Sequence, residues 1–151
     1  MSSLNNFSKL IRNNIHHNKL PLKDLKSIIR NYTVYDLSQF YLYPKKNEYV
    51  RVKLPVTNHD DNYEIMLLNW GPYSKTKIHN HPKNGCILKI INGNLEETKY
   101  DYYYKQINKP NKLIKNDISY IDDTIGYHTI FNNSNNITHS LHVYSPPNFY
   151  N

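Results

Sequence analysis

The sequence predicts a mainly β protein, a small barrel or jelly roll entered through an N-terminal group of short helices. Three observations carry that reading. Apolar residues recur at helical spacing through residues 1–43 and not beyond them. From residue 48 the period becomes two, in short segments. Clusters of Gly, Pro and Asn punctuate those segments at regular intervals, as in barrels and jelly rolls. At 151 residues the chain has the length of one domain with one real core, expected to span 1–151 with a barrel over 48–151.

The elements follow in order. Leu4, Phe7, Leu10, Ile11 and Ile15 lie at helical spacing behind the capping-type pair Ser2-Ser3. Pro21 suits the first position of a second helix, whose stripe is Leu22, Leu25, Ile28, Ile29 and Tyr32. Thr33 is a candidate cap for a short third helix through Val34, Leu37, Phe40 and Tyr41. Residues 48–54 then alternate, with Tyr49, Arg51 and Lys53 on one face and Val50, Val52 and Leu54 on the other. Residues 63–70 form a second strand, closed by the turn Gly71-Pro72, and a third carries Lys77, His79 and His81. Pro82-Lys83-Asn84-Gly85 is a turn, 86–91 a strand, Asn92-Gly93 a hairpin signal, and 95–100 the returning strand. The Lys-, Asn- and Pro-rich stretch 105–116 reads as a surface loop. Strands at 118–121, 125–131 and 138–144, with a turn at 132–136, complete the series.

Composition narrows the class. The formal charge of +7 permits acidic partners, but Lys and Arg are scattered, without a basic run or a nucleic-acid motif. A solvated basic surface and no nucleic-acid partner are expected. The abundance of Asn, Lys, Ile and Tyr carries no functional information. The one cysteine excludes an intramolecular disulfide and fits a reducing compartment. No apolar run is long enough to cross a membrane, and the N-terminus lacks the apolar core of a signal peptide. A cytoplasmic monomer without membrane contact is expected.

The chemistry centres on His79-Asn80-His81 and on His128. Histidines at i and i+2 of a strand share a face, and neutral imidazole is the commonest ligand of transition metals. Four residues separate His81 from Cys86, and six more separate Cys86 from Gly93. Three residues separate His128 from Asn132, and Ser140-x-His142-x-Tyr144 puts three polar side chains on one strand face. This spacing resembles the cupin superfamily, whose first motif is H-x-H, three or four residues, Glu, six residues, Gly, and whose second ends in His, three residues, Asn. Two departures stand out. Cys86 occupies the position of the metal-binding Glu, and Gly126 lies one residue closer to His128 than usual.

A cupin with Cys at that position and S-x-H-x-Y near its end resembles the cysteine dioxygenase (type I) family. The likeness covers almost the whole chain. It includes the helical start, Tyr49-x-Arg51, Trp70-Gly71, Asn92-Gly93-Asn94-Leu95-x-Glu97-Thr98 and Ser140-Leu141-His142-x-Tyr144-Ser145-Pro146-Pro147. It implies a cupin jelly-roll barrel and a single Fe(2+) held by His79, His81 and His128. Non-haem iron oxygenases more usually use two histidines and a carboxylate. A third neutral histidine leaves the site one negative charge short, and a substrate thiolate supplies it.

The resemblance implies a thioether between Cys86 and Tyr144, with His142 against the tyrosine hydroxyl, Ser140 behind His142, and a cis Ser145-Pro146 bond. Without it, Cys86 reads as an inert small hydrophobe and the trio as ordinary strand decoration. Arg51 matches the family's carboxylate-binding arginine, where a guanidinium pairs well with an α-carboxylate. Tyr49 is placed to support that end of the pocket, and Trp70 as core or pocket wall. His16, His17, His59 and His139 are expected to be solvated. The activity implied is oxidation of L-cysteine with O2 to cysteine sulfinate. Two alternatives stay open: a dioxygenase for another small thiol (3-mercaptopropionate or cysteamine), and a cupin that binds a metal or small ligand without turnover.

Overall fold

The computed structural model describes residues 3–56 and 62–150; the expectations for Ser2 and His59 fall outside them. Helix α1 spans Ser3–His16 and buries Leu4, Phe7 and Ile11. Its first turn is capped from a distance. The Asp36 carboxylate accepts from the Leu4 amide at 3.0 Å and from the Ser3 hydroxyl at 2.6 Å. His16 ends α1 and meets the Asn62 side chain at 3.3 Å, so it is tethered rather than merely solvated.

The helix expected after Pro21 is split into a 3₁₀ turn, Leu22–Leu25, and helix α2, Lys26–Asn31. Pro21 offers no capping side chain, and the Asp24 amide closes instead on the Pro21 carbonyl at 3.0 Å. The third helix is also only a 3₁₀ turn, Leu37–Phe40, and it starts after Asp36 rather than Thr33.

Among the described residues eight strands follow: β1 Tyr49–Lys53, β2 Glu64–Trp70, β3 Cys86–Asn92, β4 Leu95–Tyr100, β5 Asn111–Leu113, β6 Ile118–Ile121, β7 Tyr127–Phe131 and β8 Thr138–Tyr144. They form two antiparallel sheets, β1-β2-β8-β3-β6 and β5-β4-β7. The short β5 lies inside the stretch expected to be loop, paired with β4. Lys89 on β3 sends its ammonium to the carbonyls of Ile29, Arg30 and Tyr32 at 2.9–3.1 Å, which satisfies the C-terminal end of α2 and ties it to the sheet.

Strands β2 and β8 are buried along their whole length, so both of their faces are covered. On one face Ile65, Leu67, Leu141 and Val143 pack with the helical residues Phe7, Ile11, Leu25 and Ile29. On the other, Met66, Leu68, Trp70 and Tyr144 meet Leu95, Leu113 and Ile130 of the smaller sheet. The period of two thus sorts each strand between an outer core under the helices and the barrel interior.

That sorting corrects one expectation. His139 does point away from Ser140, His142 and Tyr144, but towards the N-terminal segment and not towards water. It is 3% exposed, stacks on Tyr41 at 3.9 Å, and is held by Asn92 at 2.9 Å and the Leu42 carbonyl at 3.1 Å.

Two further local readings are revised. Asn92-Gly93-Asn94 does not join a hairpin, because β3 and β4 belong to different sheets. It is the corner between them, locked by Thr138. The Thr138 hydroxyl accepts from the Asn94 amide at 3.1 Å and donates to the Asn94 carbonyl at 3.0 Å. Gly93 has φ +76°, and a Cβ there would stand 2.2 Å from the Thr138 hydroxyl oxygen.

The H-x-H segment is not a strand either. It runs beside β7 in single bridges, Lys75 to Phe131 and His79 to His128. Side chains interrupt the ladder: the Ile130 amide goes to the Thr76 hydroxyl at 3.0 Å, and the His81 amide to Asp123 at 2.8 Å. Among the described residues no helix is long and apolar enough to cross a membrane.

Candidate metal centre and substrate pocket

The single bridge between His79 and His128 brings their rings together from opposite sides of the chain. One ligand atom from each of His79, His81 and His128 lies within 4.8 Å of the others. The reason is visible at the far side of each ring. The Nδ1 of His79 meets the Lys77 carbonyl at 2.8 Å, that of His81 meets Asp123 at 3.2 Å, and that of His128 meets Glu97 at 2.7 Å. Carbonyl and carboxylate oxygens only accept, so each Nδ1 carries the proton and each Nε2 presents a lone pair. Acceptors behind ligand histidines are the usual device for fixing ring orientation and tautomer.

The result is an arrangement that fits a cation. The Nε2 atoms of His79 and His128 stand 3.0 Å apart, lone pair facing lone pair. The Nε2 of His81 is buried and has no hydrogen-bond partner. Burial, together with the neighbouring His128, pushes the pKa of His79 down to about 4 and that of His81 well below the usual histidine range. Three neutral imidazoles with converging lone pairs fit a first-row transition metal, iron included.

Glu97 is the residue behind His128 that spacing alone did not single out. It is 2% exposed, and it accepts a second hydrogen bond from the Ser119 hydroxyl at 2.7 Å. Burial would raise its pKa, but the bonds from His128 and Ser119 outweigh burial and hold it below the usual range. Its signal in the sequence is a glutamate sharing the buried face of β4 with Leu95. Replacing a partner of this kind typically costs 10- to 100-fold in metal affinity. Glu97→Gln is expected to weaken binding of an added divalent transition metal by about that factor, measured by competition with a chelator. Unchanged metal retention would remove Glu97 from the centre.

Beside the histidines lies a hydrogen-bonded chain on the inner face of β8. The Trp70 indole donates to the Ser140 oxygen at 2.9 Å. That oxygen lies 2.7 Å from the His142 Nε2, the acceptor left for the Ser140 proton. The His142 Nδ1–H then points at the Tyr144 hydroxyl oxygen at 3.1 Å, with the Cys86 sulfur at 3.8 Å. The Tyr144 hydroxyl is left with its own proton to give. Burial, then the positive Arg51, keeps His142 well below the usual histidine range, so the relay runs through a neutral ring. Trp70 is therefore more than pocket wall: it starts the chain that orients His142.

Cys86 and Tyr144 are directly opposed partners in the β3–β8 ladder. Burial, then the Glu97 charge, pushes the Cys86 thiol well up, and burial pushes up the Tyr144 phenol. Both are neutral at physiological pH. The Ser145–Pro146 bond is cis, as the resemblance implies.

Arg51 closes the far end. Its Nε is buried without a hydrogen-bond partner, and its guanidinium carbon lies 5.5 Å from the Tyr49 ring and 4.7 Å from the Tyr150 ring. Tyr49 stacks on Trp70 at 4.9 Å and so braces the arginine from behind. One cavity is lined by Arg51, Trp70, the three metal-facing histidines, Cys86, His142, Tyr144 and Tyr150. Ser140 and Tyr49 stand just behind it, and Tyr150 is a wall that the sequence motifs do not single out.

Comparison with known proteins agrees with this geometry. A sequence profile described as Cysteine dioxygenase type I matches residues 1–150. The chain is 34% identical over 120 residues to cysteine dioxygenase type 1 of Rattus norvegicus, covering 73% of this chain and 58% of the relative. It is 32% identical over 136 residues to that of Homo sapiens, covering 83% and 66%. The chain thus matches about three fifths of the length of these relatives. Among solved structures, a cupin superfamily protein from Desulfitobacterium hafniense aligns with a TM-score of 0.53 at 13% identity, covering 83% of this chain and 88% of that one. That likeness shows the cupin fold. A profile match over nearly every residue, on a fold that sets three imidazoles beside an S-x-H-x-Y strand, means that this chain belongs to the cysteine dioxygenase type I family.

Proposed function

We propose that this chain is an iron(II)-dependent thiol dioxygenase that converts L-cysteine and O2 into cysteine sulfinate. The observation that carries the reading is a metal-fitting set of three histidines in the same cavity as an arginine with an unmet donor. A ferrous ion held by His79, His81 and His128 would supply the redox chemistry that joins a thiol sulfur to dioxygen. Both oxygen atoms end on the sulfur, the thiol becomes a sulfinic acid, and no outside reductant is needed.

The chain's own residues account for the rest. Arg51 takes the substrate carboxylate in charge-assisted hydrogen bonds, and Tyr49 holds the guanidinium in place. The relay from Trp70 through Ser140 and His142 leaves the Tyr144 proton free for the substrate or oxygen. Apolar Leu68 and Ile130 in the cavity wall keep bulk water away from the reacting sulfur. The decisive test pairs iron analysis of the purified chain with an assay for cysteine sulfinate and oxygen uptake. Iron-free protein that oxidises cysteine fully would end this reading.

Cys86 and Tyr144 fit a thioether cross-link. Its formation removes one hydrogen from the thiol and one from the phenol ring, and the two protons and two electrons pass to dioxygen as hydrogen peroxide. The bond would fix the phenol beside the metal ligands without taking a coordination position. After turnover with cysteine and oxygen, peptide mapping is expected to show a linked Cys86–Tyr144 pair lighter by two hydrogens than the separate peptides. Cys86→Ala is expected to keep its iron and part of its activity. A free thiol persisting through prolonged turnover would contradict the cross-link.

A further inference from the structure

Tyr150 stands against Arg51, Tyr144 and the H-x-H segment at one side of the cavity. Its ring lies 4.7 Å from the Arg51 guanidinium carbon, edge-on to Tyr144 at 4.9 Å and to His79 at 5.9 Å. Its hydroxyl donates to the carbonyl of Asn80, the residue between the two histidines of H-x-H, at 2.8 Å. With the ring so placed, the cavity leaves about 10 Å³ of free volume. That is room for about one water molecule, whereas cysteine has seven non-hydrogen atoms. Some wall has to move before a carboxylate reaches Arg51.

The other walls are tied down. Arg51 stands in β1, in register with Leu68, and the metal-facing histidines are held from behind. His142 and Tyr144 belong to a strand paired on both sides. Tyr150 follows β8 outside any strand, and its side chain is secured by one hydrogen bond and by ring contacts with Arg51, Tyr144, His79 and Phe149, with no strand ladder to hold its backbone.

We propose that Tyr150 is the specificity-determining wall of this pocket: its ring covers Arg51 and must swing aside for the substrate carboxylate, and its bulk sets the longest thiol that fits. The exchange is physically balanced. Arg51 gives up a cation–π contact and gains a charge-assisted pair, while Tyr150 gives up its bond to Asn80 and gains water. The inference rests on the thiol dioxygenase reading for its substrate, but not for the motion of the ring.

The test uses the iron-loaded chain and its Tyr150→Phe and Tyr150→Ala variants. The chain's one tryptophan, Trp70, lines the cavity and reports on it. Anaerobic titration with L-cysteine, followed by Trp70 fluorescence, should show roughly three- to tenfold tighter binding in Tyr150→Phe, the range expected for losing one hydrogen bond that competes with the substrate. Homocysteine is longer by one methylene, a difference worth at least about tenfold in a fitted pocket. Its rate relative to cysteine should therefore rise by about that factor in Tyr150→Ala. Acrylamide quenching of Trp70, which needs no substrate, should also increase in Tyr150→Ala. Unchanged quenching, or unchanged cysteine affinity in Tyr150→Phe together with an unchanged homocysteine ratio in Tyr150→Ala, would overturn the proposal. If neither thiol is oxidised by the natural chain while quenching still rises in Tyr150→Ala, the movable wall stands and the dioxygenase reading fails.

Discussion

On the iron-dependent dioxygenase reading proposed above, replacing His79, His81 or His128 with alanine is expected to strip most of the iron from the chain and to abolish thiol oxidation with it. Each ring contributes one Nε2 to the cluster and is aimed by its own acceptor: Lys77, Asp123 and Glu97 in turn. Removing one ring leaves two neutral donors and no charge to hold a divalent ion, so the loss should exceed the 10- to 100-fold typical of a partner behind a ligand. Metal analysis after purification with added ferrous salt measures the effect. The fold should survive, because the Nε2 atoms of His79 and His128 only face each other and that of His81 has no hydrogen-bond partner, so none of them holds a neighbouring element in place. Circular dichroism in the same samples separates metal loss from unfolding. A variant that kept full iron and full activity would exclude its histidine from the centre.

The second large effect concerns the substrate carboxylate. Cysteamine is cysteine without that group, and the natural chain is expected to oxidise it about 10⁴-fold less efficiently, because sites built around a polar substrate group reject analogues that lack it by such factors. The physical cause is Arg51, whose Nε is already buried without a partner. A bound thiol with no carboxylate would leave that buried donor unmet. Arg51→Ala should raise KM for cysteine far more than it lowers kcat, and should narrow the gap between the two thiols. Arg51→Lys should recover only part of the loss, since an ammonium cannot offer the paired donors of a guanidinium. Equal turnover of cysteamine and cysteine by the natural chain would show that Arg51 does not read the carboxylate.

Much of this was legible in the residues. Helical spacing located α1, and the change to a period of two located seven of the eight strands within a few residues. The fragments carrying the resemblance hold all nine proposed site residues, and seven of them line one cavity, with Ser140 and Tyr49 immediately behind it. A strand's alternation states which residues share a face, so Ser140, His142 and Tyr144 were bound to act together.

Alternation does not state what covers a face. His139 is buried because Tyr41, Leu42 and Tyr43 fold across β8, a packing that the alternation of the strand does not announce. The same limit explains the misread strand at His79. Its ladder is broken by Thr76, which takes the Ile130 amide, and by Asp123, which takes the amide of His81. It also explains the misread hairpin, where Thr138 holds Asn94 and turns the chain into the other sheet. The amino-acid sequence by itself determined the barrel's elements, the three histidines and the strand beside them. Only the tertiary structure decided which acceptors aim those histidines and which ring stands over Arg51, because Glu97, Asp123 and Tyr150 reach the site across strands and loops through contacts that no local period encodes.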